Sequence, residues 1–245
     1  MKRFFLALFS LAAIDAHAAD IRVAVAANFT APMKQIAADF EKETGNHVSL
    51  AFGGTGQFYA QIRNGAPYDL LLAADRTTPE KLEREGLAGG RFTYAIGKLV
   101  LWSSKAGYVD GDGKILREGA FGHIAIANPR LAPYGAAAME TLKGLGLLDA
   151  LRTKMVQGEN ISQTFQFVSS GNAELGFVAL SQVWKNGKLS SGSAWVVPAK
   201  FYSPIRQDAA VLSSSKEKTA ASALANYLKG EKARAVIRSY GYDFQ

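Results

Sequence analysis

Hydrophobic residues follow two different periods along the chain, one typical of strands and one typical of helices. Residues 21–26 form a short run rich in β-branched side chains, which predicts a strand. Apolar side chains then recur at helical spacing from Met33 to Phe40. Pro32 suits the first turn of this helix, and Gly45 suits its C-terminal cap. We therefore expect a strand followed by a helix that begins at Pro32.

The same alternation of strand and helix patterns continues to the end of the chain. Further strands are predicted at 48–52, 69–75, 92–102, 124–127, 175–180, 195–197 and 208–212. Further helices are predicted at 57–63, 134–144, 161–170, 217–229 and 231–240, and another begins at Thr78. The run 69–75 is apolar between two acids, which is typical of a strand buried on both faces of a parallel sheet. The order indicates an α/β fold in which helices cover the sheet.

The first 18 residues have the pattern of a secretory signal peptide. Lys2 and Arg3 precede an apolar run at 4–14, and residues 16–18 read Ala-His-Ala. This run is too short to span a bilayer, so residues 1–18 are assigned to a signal peptide cleaved near Ala18/Ala19. A buried N-terminal helix is the alternative. The mature chain is expected to be exported and soluble.

Composition excludes several classes of protein. The 245 residues contain no Cys and three His, which excludes disulfides, thiolate metal sites, Cys nucleophiles and a His-rich metal centre. Lys and Arg number 28 against 21 Asp and Glu, a formal net charge of +7. The basic residues are scattered, and their densest runs, at 81–84 and 232–234, lie beside acids on predicted helices. Solvated helix faces explain this pattern, so no nucleic-acid partner is expected.

Sequence motifs of catalysis are missing as well. The chain has no Gly-x-Ser-x-Gly, no His-Glu-x-x-His and no Ser-x-x-Lys with its usual partner motifs. His47 lies in a predicted turn and His123 at a strand boundary. Asp69 and Asp75 flank a strand, where capping and solvation explain them. No catalytic residue, no metal ligand and no enzymatic activity are predicted.

Four junctions between a strand and a helix carry residues suited to an anion. They are 26–30, which contains Asn28; 52–57, a glycine-rich turn around Thr55; 128–135, which places Tyr134 at a helix start; and 158–162, which leads to Ile161. Each glycine-rich junction taken singly is explained as an ordinary turn. In open α/β sheets, however, ligands bind beyond the carboxyl ends of the strands, where helix N-termini present N–H groups. Four such junctions together favour an anion site, although the P-loop and dinucleotide motifs are absent.

Six stretches of the chain match one known family. They are Val25-Ala-Ala-Asn-Phe-Thr30, Phe52-Gly-Gly-Thr-Gly56, Gly65-Ala-Pro-Tyr-Asp-Leu70, Ala73-Ala-Asp75, Asn128-Pro129 with Pro133-Tyr-Gly135, and Glu174-Leu-Gly-Phe-Val178. Through them the chain resembles the periplasmic molybdate-binding proteins of ABC transporters (ModA type) from Ile21 to Tyr242. The resemblance implies a type II periplasmic-binding fold, with a ligand cleft between two lobes joined by two crossing strands. Lobe one would hold residues 20–96 and 206–245, and lobe two residues 97–205.

The resemblance also implies a set of ligand-contacting residues. Asn28 and Thr55 would come from lobe one and donate through both side chain and backbone. Tyr134 and Ile161 would come from lobe two and act chiefly through backbone N–H groups at helix starts. Some members have a Tyr donor where this chain has Ala179, and Asn28 is expected to supply the missing hydrogen bond.

The function implied by the resemblance is that of the periplasmic substrate-binding component of an ABC importer. Its ligand would be molybdate, and also tungstate, delivered to a membrane permease. Such carriers are monomers, and they need no cofactor because molybdenum is bound only as the oxyanion. Since the chain has no Cys, a lipid-modified N-terminal cysteine is excluded and free diffusion in the periplasm is expected.

Three alternatives stay open from the residues. The same fold could bind sulfate, thiosulfate or a small organic anion, because sulfate asks for the same donors as molybdate and only cavity size separates the two. Hydrogenphosphate is disfavoured, since its proton needs an acceptor and would otherwise stay unpaired. An exported enzyme lacks the necessary His and nucleophile motifs. The sensing domain of a transcription regulator would need a DNA-binding module for which no residues remain.

Overall fold

The computed structural model describes residues 18–244. The signal-peptide prediction falls on residues 1–18, which lie outside the described range except for Ala18, so it stays a prediction. No helix between residues 18 and 244 combines the length and the apolar character that a membrane span requires.

The described chain alternates strands and helices. The strands are β1 (Asp20–Ala26), β2 (His47–Gly53), β3 (Leu70–Leu72), β4 (Ala88–Gly97), β5 (Leu99–Ser103), β6 (Ile124–Ala127), β7 (Met155–Gly158), β8 (Leu175–Ala179), β9 (Trp184–Lys185), β10 (Lys188–Leu189), β11 (Ser193–Val196) and β12 (Ile205–Leu212). The helices are α1 (Thr30–Thr44), α2 (Thr55–Arg63), α3 (Thr77–Arg84), α4 (Ile115–Glu118), α5 (Pro133–Gly144), α6 (Leu148–Leu151), α7 (Ile161–Ser169), α8 (Leu180–Val183), α9 (Lys218–Lys229) and α10 (Glu231–Ser239).

The strands form two mixed five-stranded sheets and one small hairpin. The first sheet has the order β2-β1-β3-β12-β4, in which β1 pairs in parallel with β2 and β3 while β12 runs antiparallel to β3 and β4. The second has the order β11-β5-β8-β6-β7, in which β6 is parallel to β7 and β8 while β5 is antiparallel to β8 and β11. Strands β9 and β10 form the hairpin. Below, lobe one means the first sheet with its helices, and lobe two means the second sheet with its helices. The residue boundaries of the lobes given by the resemblance stay a prediction.

The chain crosses between the sheets twice. It leaves the first sheet after Gly97 in β4 and enters the second at Leu99 in β5, and it returns between β11 and β12. The expectation of one continuous strand at 92–102 is therefore wrong. At Lys98 the backbone leaves the first ladder, and its carbonyl accepts the N–H of Leu180 in lobe two at 2.9 Å. Both halves have strand-forming side chains, so the local pattern does not reveal the change of sheet.

Each sheet is buried on both faces. In lobe one, Val23 and Val25 pack with Met33 of α1, whereas Ala24 between them packs with Phe58 of α2 on the other face. Strand β3 is fully buried as predicted, but it covers only Leu70–Leu72 of the predicted run at 69–75, and it pairs in parallel with β1 and antiparallel with β12. Lobe two repeats the arrangement, with the alternate positions of β5 entering two separate clusters. The strand ends are thereby held rigidly on both sides of the space between the lobes.

Several predicted helix starts are corrected by the structure, and among them α2 begins at Thr55 rather than at residue 57. Helix α1 begins at Thr30 rather than Pro32, because a short 3-10 turn at Ala27–Phe29 leads directly from β1 into it. Helix α3 begins at Thr77, and the carboxylate of Asp75 accepts the Thr78 N–H at 2.7 Å. A carboxylate is a stronger acceptor for a first-turn N–H than a threonine hydroxyl, so Asp75 replaces Thr78 in the predicted capping role.

Candidate functional site

A small cavity lies between the lobes, beyond the carboxyl ends of β1, β2, β3, β6 and β7. It is lined by Ala26, Ala27, Asn28, Gly53, Gly54, Thr55, Ala74, Ala132, Pro133, Tyr134, Asn160 and Ile161. All four predicted ligand residues therefore lie around one space, although they are distant in sequence. Each of the four is at most 3% exposed, so the lobes are closed over them. The cavity is small, with a volume of about 10 Å³.

Thr55 is the first residue of α2 and presents its hydroxyl with a fixed orientation. Its Oγ1 accepts the N–H of Ala74 at 2.9 Å. A hydroxyl has one proton to donate, and this bond occupies an acceptor position only, so the proton stays available to a bound group. The Thr55 N–H lies in the first turn of the helix, where backbone donors have no partner within the helix. Thr55 can therefore donate twice.

Helix α7 presents the N–H of Ile161 selectively. The side chain of Asn160 caps this helix by accepting the N–H groups of Ser162 at 3.0 Å and Gln163 at 3.2 Å. The Thr164 N–H is bonded to the Asn160 carbonyl. Among the first-turn donors, Ile161 is the one that this cap does not engage.

Helix α5 shows the same selection at its start. Pro133 occupies its first position and has no N–H. The N–H groups of Gly135 and Ala136 are both bonded to the Ala132 carbonyl, at 2.9 and 3.2 Å. Tyr134 thus carries the first-turn N–H of α5 that these bonds do not engage, and its role toward a ligand stays a prediction.

The side chain of Asn28 is oriented differently from the expectation. Its Nδ2 donates to Gln207 Oε1 at 2.8 Å and to Tyr242 Oη at 2.9 Å. Both amide protons are engaged away from the cavity, so the side chain does not supply the donor expected to replace a Tyr at Ala179. Asn28 is the second residue of the 3-10 turn at Ala27–Phe29, and its backbone N–H is the donor that this residue can offer to the cavity.

Gln207, on the crossing strand β12, joins the two lobes behind the cavity. It is fully buried, and its Nε2 donates to Tyr134 Oη at 3.1 Å while its Oε1 accepts from Asn28. Tyr94 Oη lies 3.0 Å from the same Oε1. Gln207 was not predicted as a site residue, because it lies just before the predicted strand at 208–212, between the charged residues Arg206 and Asp208. No local pattern of the sequence marks it as buried.

The tyrosines around Gln207 are held neutral. Burial raises the pKa of Tyr94 and Tyr134 well above the ordinary value of a phenol, and it also raises the pKa of Tyr242. Their hydroxyls therefore remain protonated at physiological pH. No negative charge develops behind the cavity at these groups.

The cavity is uncharged on its inner surface. None of the described residues that line it is Asp, Glu, Lys or Arg. Glu159 is the acid nearest in sequence, but its side chain is exposed and is not part of the lining. Donors without counter-charges can hold a fully deprotonated anion, and they offer nothing to a cation.

Two amides of the glycine-rich turn are already engaged. The Gly54 N–H donates to Gln57 Oε1 at 3.0 Å, and the Gly56 N–H donates to the Leu131 carbonyl of lobe two, also at 3.0 Å. The turn is therefore not a row of free amides. It supplies the cavity chiefly through Thr55.

A wider groove opens from the cavity toward solvent. It shares Ala74, Ala132 and Pro133 with the cavity and has a volume of about 490 Å³. Arg76 of lobe one and Arg130 of lobe two line it, and both are exposed. Arg206 also lines the groove, together with the acids Asp75 and Glu140, so the approach to the uncharged cavity carries charges of both signs with one more arginine than acids.

The residues considered for catalysis have structural roles. Asp69 accepts the Arg22 N–H at 2.8 Å and the Ser215 hydroxyl at 2.6 Å. His47 is exposed and lies 2.8 Å from Glu41, and His123 is exposed before β6. Between residues 18 and 244, no group of three or more His, Cys, Asp or Glu is placed to hold a metal ion.

Comparison with known proteins gives consistent matches over nearly the whole chain. The family model of bacterial extracellular solute-binding proteins matches residues 21–243. The molybdate-binding protein ModA of Azotobacter vinelandii is 61% identical over 237 residues, which are 96% of this chain and 94% of that protein. The molybdate-binding protein ModA of Rhodobacter capsulatus is 48% identical over 239 residues, 97% of this chain and 93% of that protein.

A solved structure agrees with the fold. The Azotobacter vinelandii periplasmic molybdate-binding protein matches with a TM-score of 0.90 at 45% identity, over 92% of this chain and 99% of that chain. The predicted α/β fold with two lobes of the type II class is confirmed by this match and by the two mixed sheets.

Proposed function

This chain belongs to the bacterial extracellular solute-binding proteins, in the ModA-type group, and from this premise we propose that it captures molybdate for an ABC importer. The oxyanion would lie in the cavity between the lobes, held by Asn28, Thr55, Tyr134 and Ile161. Tungstate would bind in the same way, since it presents the same tetrahedral set of acceptors. The bound anion would then be delivered to a membrane permease by a protein that acts as a periplasmic monomer.

The proposal rests on one observation, which is that only certain backbone N–H groups at the cavity are left without a hydrogen bond from caps and turns. Caps and turns engage the neighbouring N–H groups and leave those of Tyr134 and Ile161 at two helix starts. The Thr55 hydroxyl is oriented by Ala74 so that its proton is free to donate. Helix N-termini with unengaged N–H groups attract anions, and here they come from both lobes.

The chemistry of the lining favours an anion that carries no proton. A lining without a carboxylate offers no strong acceptor to the hydroxyl of hydrogenphosphate, and an unpaired buried donor costs about 1–3 kcal/mol. Molybdate and sulfate are fully deprotonated at neutral pH and need donors only. The small size of the cavity supports a compact inorganic ion over an extended organic anion.

Isothermal titration calorimetry of the chain from Ala19 onward tests the proposal. Molybdate, tungstate, sulfate and phosphate would be titrated separately at neutral pH. We expect one-to-one binding of molybdate and tungstate, with sulfate at least about 100-fold weaker.

Other outcomes would change the assignment. Binding of sulfate alone would support an anion site in the cavity, but the ligand would then be sulfate or thiosulfate rather than molybdate. The absence of a heat of binding with all four anions would contradict the proposed function.

A further inference from the structure

Gly56 in lobe one contacts Leu131 in lobe two across the mouth of the cavity. The Gly56 N–H donates to the Leu131 carbonyl at 3.0 Å. Gly56 is the second residue of α2, and Leu131 belongs to the loop between β6 and α5. The bond therefore joins main chain to main chain between two elements that carry proposed ligand residues.

The two backbones approach so closely that a side chain at position 56 would press on Leu131, which would have to shift by a few tenths of an ångström. A Cβ atom there would lie 3.0 Å from Leu131 Cδ2, 3.1 Å from Leu131 Cα and 3.3 Å from the Leu131 carbonyl oxygen. These are the nearest atoms it would meet, and all three belong to the opposite lobe. The conformation of Gly56 itself does not require glycine, because its φ is not in the left-handed region.

A larger side chain at position 56 would therefore destabilise the closed arrangement of the lobes and leave the open one unaffected. Within α2, alanine or leucine is a better helix former than glycine. With the lobes apart, the new side chain would extend into solvent. With the lobes closed, it would press against Leu131.

We propose that Gly56 and Leu131 form a latch that holds the lobes closed and sets how slowly a bound ligand escapes. Gly56 is a positioning residue here, since its N–H is engaged by Leu131 and does not contact the ligand. The inference rests on the proposed function for the identity of the ligand, but the latch itself is a property of lobe closure.

A graded pair of substitutions measures the effect on ligand escape. Gly56→Ala and Gly56→Leu would be compared with Gly89→Ala, where a Cβ meets nothing within 4 Å and φ is not left-handed. We expect the dissociation rate of molybdate to rise about threefold for alanine and more than about tenfold for leucine. The thermal midpoint of the ligand-free variants should stay level or rise, and Gly89→Ala should match the wild type. An unchanged dissociation rate in Gly56→Leu would overturn the latch.

A cross-link tests the contact without relying on any ligand. Because the chain has no Cys, the pair Gly56→Cys with Leu131→Cys introduces the only two thiols. Copper–phenanthroline in air would oxidise these thiols to a disulfide when the lobes close. The control pair is Gly89→Cys with Leu131→Cys, because Gly89 pairs with Val211, which in turn pairs with Leu70 at the end of β3 opposite the cavity.

The outcomes separate the latch from the proposed function. We expect the Gly56 pair to cross-link, faster with molybdate, and the control pair to stay reduced. Cross-linking that no oxyanion accelerates would count against the proposed function and support the latch. Absence of the cross-link, with and without molybdate, would overturn the latch.

Discussion

The residues of the cavity present neutral donors whose orientation is fixed by neighbouring hydrogen bonds. Thr55 is the clearest case, since its hydroxyl accepts from Ala74 and keeps its proton for the cavity. Asn28 shows the opposite outcome, because the same kind of bonds draw its amide away. Residue type alone therefore does not decide which atom of a residue reaches the ligand.

Thr55→Ala should weaken molybdate binding while leaving the fold intact. The variant removes one hydrogen bond to a charged group, which corresponds to about 1–3 kcal/mol. Thr55→Ser retains the hydroxyl and should bind within a few-fold of the wild type. Calorimetry of both variants checks this, and equal affinities for alanine and serine would show that the hydroxyl does not contact the anion.

Tyr134→Phe should have little effect on affinity, in contrast to Thr55→Ala. The variant keeps the backbone N–H and removes only the hydroxyl that accepts from Gln207 at 3.1 Å. We expect molybdate affinity within about threefold of the wild type, and a loss of about 1 kcal/mol in the free energy of unfolding from the unpaired Gln207 amide. Calorimetry and urea unfolding give the two values. A loss of affinity as large as that of Thr55→Ala would place the hydroxyl, rather than the N–H, at the ligand.

Asp75 should make stability depend on pH. Desolvation raises the pKa of its carboxyl above the ordinary value, outweighing the hydrogen bonds from Thr78. An acid with a raised folded-state pKa binds its proton more tightly when folded. Its contribution to stability is therefore full below the unfolded pKa and is lost as pH rises through the folded pKa.

Asp75→Asn keeps an acceptor for Thr78 and removes this titration. The free energy of unfolding should fall less between about pH 4 and about pH 7 in this variant than in the wild type. Urea unfolding at the two pH values measures it, with the exposed Asp149→Asn as control. Equal falls in Asp75→Asn and the wild type would contradict the raised pKa.

Among the elements, the helix starts decide the chemistry of the cavity. Helices α2, α5 and α7 each bring their first turn to the same space, and each has some of its N–H groups engaged by caps or by the opposite lobe. Asn160 combines two roles, because it caps α7 and also lines the cavity. A substitution at position 160 can therefore change the charge of the cavity lining while the helix keeps a capping side chain.

Asn160→Asp should weaken anion binding without loss of stability. Aspartate caps a helix as well as asparagine does, but it adds a negative charge to the lining. Repulsion between a bound dianion and a carboxylate in the lining of the same cavity should cost at least about 2 kcal/mol, roughly 30-fold in affinity. Asn160→Ser keeps a cap without the charge and should bind nearly as the wild type does. Calorimetry with thermal unfolding compares the three proteins, and full affinity in Asn160→Asp would exclude an anion from the cavity.

The whole molecule adds a long-range field to this local chemistry. Its formal net charge is +7, and Arg76 and Arg130 lie on opposite lobes along the groove that leads to the cavity. Positive charge beside an entrance accelerates the approach of anions, and salt screens the effect. Under the proposed function, capture and retention of the anion would thus depend on different parts of the molecule.

The double variant Arg76→Gln with Arg130→Gln should slow association of molybdate by about threefold or more at low salt. The dissociation rate should stay unchanged, and the difference from the wild type should shrink as salt is added. Stopped-flow fluorescence measures the rates. The matched control is Lys42→Gln with Lys188→Gln, which removes the same charge from exposed positions outside the groove. Equal slowing in both double variants would assign the effect to net charge alone.

The sequence by itself determined the alternation of strands and helices and the four junctions that meet at the cavity. These features are local, since strand and helix periods and helix-start residues depend on neighbours within a few positions. Thr55, Tyr134 and Ile161 lie in these junctions and were identified as ligand donors through the family resemblance.

Only the tertiary structure decided which of these donors stay free and what holds the lobes together. Asn28 turns its amide to Gln207, 179 residues away, and Gly56 gives its N–H to Leu131 of the other lobe. The change of sheet after Gly97 is equally invisible locally, because strand-forming residues continue on both sides. Hydrogen-bond partners brought together by folding are set by topology, and no local pattern of side chains encodes them.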